Sequence, residues 1–192
     1  MKNMRGIKKF MRYNLREDKK AKSKTYFFKK KLLAFDDKFI NFLLNKNHQS
    51  KKNIRICLHT NIKDNHHDMV LLQQRKDFYS PWINNNKMGN YPHKHIKKEE
   101  TFHLIKGKMA CVIFNNKGEI KFVCLLKKNS IFKISKNIYH TLIPISKHVI
   151  YHESTLGKMP KKVDVKYAPW ISKYNNKKKI LEFQKNFRKF FS

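Results

Sequence analysis

The chain has 192 residues, 40% of them hydrophobic, and its 45 Lys and Arg against 13 Asp and Glu give a formal net charge of +32. This length suits one domain with tails and argues against two independent cores. No apolar run is long enough for a transmembrane helix, and the three cysteines lack the Cys-x-x-Cys spacing of zinc knuckles and thioredoxin-like redox sites.

The positive charge is concentrated in the tails. Residues 1–31 carry a net charge of +11 and residues 171–192 a net charge of +6. Lys supplies 39 of the basic residues and Arg only 6. Because nucleic-acid recognition favours the bidentate contacts of Arg, the Lys, Asn and Ile bias of an A/T-rich genome explains the charge better than a nucleic-acid surface, which is the alternative. We expect no specific nucleic-acid partner.

Residues 1–31 alternate basic and apolar side chains, and we predict that they form a basic N-terminal extension. The segment lacks the continuous apolar centre of a secretory signal peptide, so a cytoplasmic location is expected.

Residues 35–43 have Phe, Ile and Leu at helical spacing after Asp36, a residue type that caps helix N-termini. This pattern predicts a short helix before the main β-rich region, within a domain assigned to residues 32–170.

From residue 54 onward, short β-rich runs alternate with turn signals. The predicted strands cover residues 54–59, 69–74, 101–105, 109–114, 120–126, 131–134, 140–144 and 148–153. Eight short strands without intervening helices predict an all-β fold, an antiparallel jelly roll of two sheets.

A turn at Gly118 would place Cys111 directly opposite Cys124. There the thiols either pair in an oxidising compartment or, in the cytoplasm, pack as small hydrophobes.

The last segment, residues 171–192, predicts a basic amphipathic C-terminal helix. Its apolar residues among the lysines are Ile180, Phe183, Phe187, Phe190 and Phe191. We favour packing of this apolar face on the domain or across a homodimer interface; weak contact with an anionic membrane surface is the alternative. Because all predicted strands lie between the tails, removal of residues 1–31 and 171–192 is expected to leave a folded domain.

The segment around His93 has the pattern of a metal site. His93 and His95 are two positions apart, so on a strand they project from the same face. Glu100 and His140 can add a carboxylate and a third imidazole from neighbouring strands. A His-x-His pair alone arises easily by chance in a chain with ten histidines. The four residues together predict a site for one divalent transition metal, which is Fe, Mn, Zn, Ni or Co.

The spacing of these residues resembles the first cupin motif, which here reads His93-x-His95, four residues, Glu100, six residues and Gly107. Residues 135–140 are similar to the second cupin motif, with Asn137 at the position of its glycine. Asn is the non-Gly residue best tolerated in a left-handed turn, so the turn is expected to form. The resemblance implies a double-stranded β-helix, the cupin jelly roll, with the same four metal ligands.

A closer resemblance is to the WbuC-type cupin fold metalloproteins, which are found with O-antigen and other surface-polysaccharide genes. It spans about residues 34–170 and rests on the stretches RICLH at 55–59, YPHKH at 91–95, ET at 100–101, residues 134–142, HE at 152–153 and YAPW at 167–170. The resemblance implies a sugar or sugar-nucleotide substrate in the biosynthesis of O-antigen, lipopolysaccharide or capsule. Isomerisation or epimerisation is the simplest chemistry for such a substrate.

Further pocket residues are suggested by the same resemblance, which includes the positions of His59, His152 and Glu153. Since His152 and Glu153 are adjacent on one strand, only one of them can face inward. We favour Glu153, with Tyr151 on the same face. The candidate acid–base or substrate-orienting groups beside the metal are therefore Glu153, His59 and Tyr151.

Two other functions fit the same sequence. A non-catalytic, metal-stabilised sugar-binding or regulatory module would need the same metal ligands but no pocket base. A nucleic-acid-binding protein would work through the basic tails, and we expect any such binding to be electrostatic, non-specific and steeply salt-dependent. The partner that we expect for the domain is a small molecule, a carbohydrate.

Overall fold

The computed structural model describes residues 15–21, 24–29, 35–50, 52–61, 64–75, 91–156 and 164–173, and residue 182. The elements in chain order are β1 Leu15–Asp18, β2 Lys24–Phe28, α1 Asp37–Ser50, β3 Ile54–Cys57, β4 His66–Gln74, β5 His93–His95, β6 Glu100–Lys106, β7 Met109–Phe114, β8 Ile120–Leu126, β9 Ile131–Ile134, β10 Tyr139–Pro144, β11 His148–Leu156, β12 Val165–Tyr167 and a 3-10 helix at Pro169–Lys173.

The strands form two sheets. One has seven strands in the order β1-β2-β3-β4-β11-β6-β9, and the other has five in the order β12-β5-β10-β7-β8. Neighbouring strands run antiparallel except for β2 and β3, which are parallel because α1 carries the chain back between them. All eight predicted strands are present. The prediction of a mostly β domain with antiparallel sheets and one short helix is confirmed, apart from this parallel pair.

The main core lies between the inner faces of the two sheets. On β4, Met69 and Leu71 belong to this core, whereas Val70 and Leu72 pack on the opposite face of the sheet. Such alternation is the period of two that a strand imposes on its side chains. It also decides which polar side chains enter the barrel, because every second residue of β3, β4 and β11 faces the core.

The helix α1 covers the outer face of the seven-stranded sheet. Asp36 Oδ1 accepts a hydrogen bond of 3.0 Å from the backbone N–H of Phe39, so the predicted N-terminal cap is confirmed. Phe39 and Leu43 are fully buried and pack with Ile54, Ile56 and other apolar residues on the outer face of the sheet. The helix therefore removes this apolar face from water and stabilises the sheet from outside.

The two N-terminal strands were not predicted. β1 pairs with β2, β2 pairs with β3, and Phe27 of β2 belongs to the main core. The expectation that all strands follow residue 31 is therefore wrong. The predicted boundary at residue 31 separates two strands from the sheet to which they are hydrogen-bonded. The rest of the division into domains stays a prediction, and the predicted C-terminal helix lies outside the described residues except for 171–173 and Glu182.

The hairpin between β7 and β8 has the predicted turn. Gly118 has a positive φ of 91°, and a Cβ atom there would lie 2.6 Å from the indole of Trp170, so only glycine fits. Cys111 stands opposite Cys124 in the register, as predicted, and both thiols are free. Among the helices that the structure describes, none is long and apolar enough to cross a membrane.

Candidate metal centre

The four predicted metal ligands come together between the two sheets. β5 carries His93 and His95, and β10 pairs with it so that His140 stands opposite His93. Glu100 is the first residue of β6, which belongs to the seven-stranded sheet. The sequence suggested that Glu100 arrives from a neighbouring strand. It instead reaches the histidines across the barrel, from the facing sheet.

A left-handed turn positions the strand that carries His140. Asn137 has a φ of 63°, so the turn expected at this position is present. Its backbone N–H donates a hydrogen bond of 2.7 Å to the carbonyl oxygen of His95. The turn before β10 is thereby fixed directly to β5, and the two strands hold their histidines in a defined register.

The ligand atoms of the four residues all lie within 4.8 Å of one another. Glu100 bridges two histidines, because its Oε2 lies 2.9 Å from His140 Nε2 and its Oε1 lies 3.0 Å from His95 Nε2. Bonds of about 2.0–2.2 Å to a central ion place opposite donor atoms at most roughly 4.4 Å apart. Small side-chain adjustments would therefore bring all four donors to one ion.

The outer nitrogens of His93 and His140 are fixed by backbone carbonyls. His93 Nδ1 lies 2.7 Å from the oxygen of Tyr91, and His140 Nδ1 lies 3.0 Å from the oxygen of Ile138. A carbonyl oxygen only accepts, so Nδ1 of each ring carries the proton. In its neutral form, each ring then offers the lone pair of Nε2 to the centre of the site, which is the arrangement that a metal ligand needs.

His95 is held by a carboxylate that the sequence analysis missed. Its Nδ1 lies 2.8 Å from Asp164 Oδ2, and the other oxygen of Asp164 accepts a hydrogen bond of 2.7 Å from the backbone N–H of Lys97. No motif marks Asp164, which follows a Lys-rich stretch. Only the pairing of β12 with β5 brings it to His95, and nothing in the local sequence encodes that pairing.

The contact between His95 and Glu100 supports the fit to a metal. His95 Nε2 is buried and forms no hydrogen bond with the described residues, although Glu100 Oε1 lies only 3.0 Å away. Because Asp164 holds a proton on Nδ1, this approach requires either a second proton on the ring or a cation between the two atoms. Three imidazoles and one carboxylate form a donor set that suits a divalent transition metal.

The protonation of the four residues also bears on metal binding. Burial and, after it, the neighbouring His140 lower the pKa of His93 to about 4, so His93 is neutral at pH 7. Burial also acts to lower the pKa of His95, but the carboxylates of Glu100 and Asp164 outweigh it and raise this pKa to about 9. Burial opposes ionisation of Glu100, yet the close approach of the His140 and His95 rings, at 2.9 and 3.0 Å from its oxygens, holds its pKa far below the usual range. A divalent cation would compete with the proton on His95.

The metal ligands line a cavity of about 210 Å³ between the sheets. Polar side chains from the inner face of the seven-stranded sheet line the same cavity, namely Arg55, Gln73, Tyr151 and Glu153. Val165 and Tyr167 of β12 also line it and are 42% and 39% exposed, so they lie at its mouth. Substrate-sized space and titratable groups therefore adjoin the four ligands.

The structure places some of the predicted pocket residues on the cavity wall and others away from it. Tyr151 and Glu153 line the cavity, whereas His152 faces outward, with its Nε2 3.2 Å from Asp68 Oδ1. His59 is not a wall residue. β3 ends at Cys57, after which the ring of His59 turns to donate a 3.0 Å hydrogen bond to the carbonyl of Asp68. The expectation that His59 lies beside the metal is corrected accordingly, and the roles of the other residues stay predictions.

The barrel raises the pKa of both Glu153 and Tyr151. Burial and the negative charge of Glu100 raise the pKa of Glu153 to about 7, although the charge of Arg55 acts in the opposite direction. Burial raises the pKa of Tyr151 well above its usual value, so the phenol keeps its proton. At neutral pH the cavity thus contains one carboxyl group that both donates and accepts protons and one phenol that donates.

No family model matches the chain, and no curated protein matches it. The solved structures that match are cupin, or double-stranded β-helix, proteins. One is the cupin domain of Schizosaccharomyces pombe Cnp3, with 13% identity, a TM-score of 0.39, and coverage of 55% of this chain and 64% of that one. Oxalate decarboxylase from Bacillus subtilis has 12% identity and a TM-score of 0.43, covering 60% and 27%. A conserved protein with a double-stranded β-helix domain from Klebsiella pneumoniae subsp. pneumoniae has 15% identity and a TM-score of 0.42, covering 60% and 84%. The chain thus matches less than two thirds of the first two proteins.

Proposed function

We propose that the chain binds one divalent transition metal through His93, His95, Glu100 and His140 and acts with it on a small carbohydrate-derived substrate. The observation that carries this proposal is the convergence of the four ligand atoms within 4.8 Å on the wall of a cavity. A structural metal is usually closed off by its protein ligands, whereas a catalytic metal keeps a position open for substrate. A ligand set that faces a cavity fits the catalytic case.

The reaction class that suits these residues is isomerisation or epimerisation. A bound metal would polarise a carbonyl or hydroxyl oxygen of the substrate. Glu153 would take the proton from the carbon next to the carbonyl, and the electron pair of that C–H bond would move onto the carbonyl oxygen. Return of the proton to the former carbonyl carbon, with transfer of the hydroxyl proton from the adjacent oxygen to the former carbonyl oxygen, would complete an isomerisation. Delivery of a proton from solvent to the opposite face of the same carbon would complete an epimerisation, after which Glu153 would release the proton that it took; Tyr151, on the same face of β11, would orient the substrate.

The alternative is a non-catalytic, metal-stabilised sugar-binding or regulatory module. Such a module needs the metal ligands but no group that transfers protons. The position of Glu153 on the cavity wall, with a pKa of about 7, favours the enzyme.

The biological context that we propose is the biosynthesis of surface polysaccharide, as O-antigen, lipopolysaccharide or capsule, in the cytoplasm. Support comes from the resemblance to WbuC-type cupins. Besides the metal ligands, these stretches supply further wall residues of the cavity, among them Arg55 from residues 55–59, Glu153 from residues 152–153 and Tyr167 from residues 167–170. The resemblance therefore extends from the metal ligands to the substrate side of the site.

Solvent hydrogen exchange tests the proposed reaction. The metal-loaded protein is incubated in D₂O with a panel of aldoses, ketoses, uronic acids and sugar phosphates, and NMR follows deuterium at the carbon next to the carbonyl. We expect exchange that stops on removal of the metal and in Glu153→Gln, which should keep its metal. Glu182→Gln, at an exposed position, is the matched control. Exchange at the original rate in Glu153→Gln would remove Glu153 as the base, and sugar binding without exchange would favour the non-catalytic module.

A further inference from the structure

A guanidinium group lies in the cavity wall across from the histidines. On β3, Ile54 and Ile56 pack on the outer face of the sheet with α1, so Arg55 between them faces inward. Arg55 belongs to the seven-stranded sheet, whereas the three histidine ligands belong to the five-stranded sheet. Both line the same cavity. A ligand in the cavity can therefore touch Arg55 and the metal centre at once.

Arg55 has no ion-pair partner among the residues that the structure describes. Its Nε is buried without a hydrogen-bond partner. None of the ion pairs formed among the described residues includes Arg55. A guanidinium stays ionised at any physiological pH, and Arg55 is partly buried, so part of its hydration is lost without a compensating ion pair. An anionic group in the cavity would supply the missing partner.

A second unsatisfied polar atom lies on the same face. Gln73 Oε1 is buried and has no hydrogen-bond partner among the described residues. Arg55 stands opposite Leu71 on β4, so Gln73, two positions further along, is its diagonal neighbour. Long side chains at diagonal positions reach a common ligand. Arg55 thus offers donors and Gln73 an acceptor, a combination that suits an anion that also carries a hydroxyl group.

The size of the cavity limits the ligand. Its volume is about 210 Å³, and its mouth lies at Val165 and Tyr167. Pockets that enclose drug-sized ligands are larger, about 300–1,000 Å³. A small hydroxy acid, a sugar acid or a short sugar phosphate can enter this space, and a larger substrate would extend through the mouth.

We infer that the cavity binds a small hydroxylated anion, with its carboxylate or phosphate group on Arg55, a hydroxyl group on Gln73 and its reacting oxygen toward the four metal ligands. This inference rests on the proposed function and narrows its substrate to acidic compounds. Carboxylate and phosphate groups each present a pair of oxygens that can accept two parallel N–H bonds from a guanidinium. The binding experiment below distinguishes them.

Calorimetric titration of the full-length, metal-loaded protein in about 150 mM salt tests the site with three probes. These are inorganic phosphate, glycolate as a hydroxylated carboxylate, and glycerol as a neutral control. We expect at least one anion to bind and glycerol not to bind. Arg55→Gln should weaken anion binding about 10- to 100-fold, the range for a charged hydrogen-bonding partner. Binding of phosphate alone or glycolate alone would identify the anionic group.

Two controls separate this inference from the proposed function. Arg75→Gln removes the same charge at an exposed position, where Arg75 only donates to the carbonyl of Ile145, and should leave anion binding unchanged. Elemental analysis of Arg55→Gln should show the metal content of the unmodified protein. If the unmodified protein holds no metal, the proposed function fails. If it holds metal and Arg55→Gln binds both anions equally well, or if neither anion binds, only the anion site is refuted.

A variant that keeps the charge covers the case in which Arg55→Gln does not fold. Arg55→Lys preserves a cation at this position but loses the planar pair of donors. We expect it to fold and to bind the anion about 10-fold more weakly, because one of two charged hydrogen bonds is lost. Unchanged affinity in this variant would overturn the assignment of the anionic group to the guanidinium.

Discussion

Replacing Asp164 with Asn tests how the metal centre holds His95. In the structure, one carboxylate oxygen of Asp164 faces His95 Nδ1 at 2.8 Å, and the other accepts from the backbone N–H of Lys97 at 2.7 Å. Asn keeps the shape but has only one acceptor. If that oxygen stays on Lys97, the new amide N–H₂ faces the N–H of His95. The imidazole must then shift its proton to Nε2, the nitrogen that it would offer to a metal.

This substitution should weaken metal binding without removing a ligand. Loss of a carboxylate that supports a ligating histidine typically costs 10- to 100-fold in metal affinity. We expect the same range for Asp164→Asn, which corresponds to about 1.4–2.7 kcal/mol. Competition with a chromophoric chelator for Zn²⁺ or Co²⁺ at fixed pH measures the affinity. Asp37→Asn, at an exposed position in the first turn of α1, is the control for loss of one negative charge.

The outcome of this experiment decides between two roles for Asp164. If the variant folds and binds the metal as tightly as the unmodified protein, the carboxylate does not set the protonation of His95 and the reasoning is refuted. If circular dichroism shows that the variant has lost structure, Asp164 serves to anchor the segment before β12. That result would also contradict the expected effect, because a positioning residue should change affinity while the fold is kept.

Three further predictions concern the core, the cavity and the tails. Phe27→Ala should lower the free energy of unfolding in urea by about 3–5 kcal/mol, whereas Phe122→Ala, at a side chain that is 53% exposed, should cost much less; equal losses would contradict the placement of β2 in the core. In metal-free protein, the pKa of Glu153 rises on folding from its ordinary value of 4.5 to about 7. The folded state therefore binds the extra proton between these values, and stability is lost as pH rises through that window. Glu153→Gln should remove this loss and be more stable at pH 8 by up to about 3 kcal/mol, with little difference at pH 4; parallel pH profiles would refute the shift. Binding to DNA or RNA should fall steeply between about 50 and 200 mM salt, be independent of sequence and decrease when residues 171–192 are removed; a sequence-specific complex at physiological salt would contradict it.

Much of the fold follows from local patterns. The eight predicted strands after residue 53 are β-rich runs of four or more residues bounded by turn signals, and the symmetry of Cys111 and Cys124 about the turn at Gly118 correctly predicted their pairing. β2 has no such pattern, because Phe27 and Phe28 are adjacent and both buried, and lysines surround the short strand. Its position depends on pairing with β3, which residues 24–28 alone do not indicate.

The candidate site shows the same division between local and long-range information. His93 and His95 share a strand, and Asn137 marks the turn before His140, so their spacing in the sequence is informative. Asp164 reaches His95 across 69 positions of the chain, and no spacing rule connects them. His59 was expected in the pocket, but its strand ends two residues earlier, and strand ends are where alternation stops predicting side-chain direction.

The metal content of the purified protein tests the central claim most directly. The chain is prepared without a histidine tag, and elemental analysis compares it with the double variant His93→Ala, His140→Ala. A double variant at His48, which is exposed, and His103, which lies on the outer face of β6, controls for the loss of two histidines. We predict close to one divalent transition metal per chain in the unmodified protein and in this control, and none in the folded His93→Ala, His140→Ala variant. Equal metal content in all three proteins, or no metal in any of them, would contradict the account.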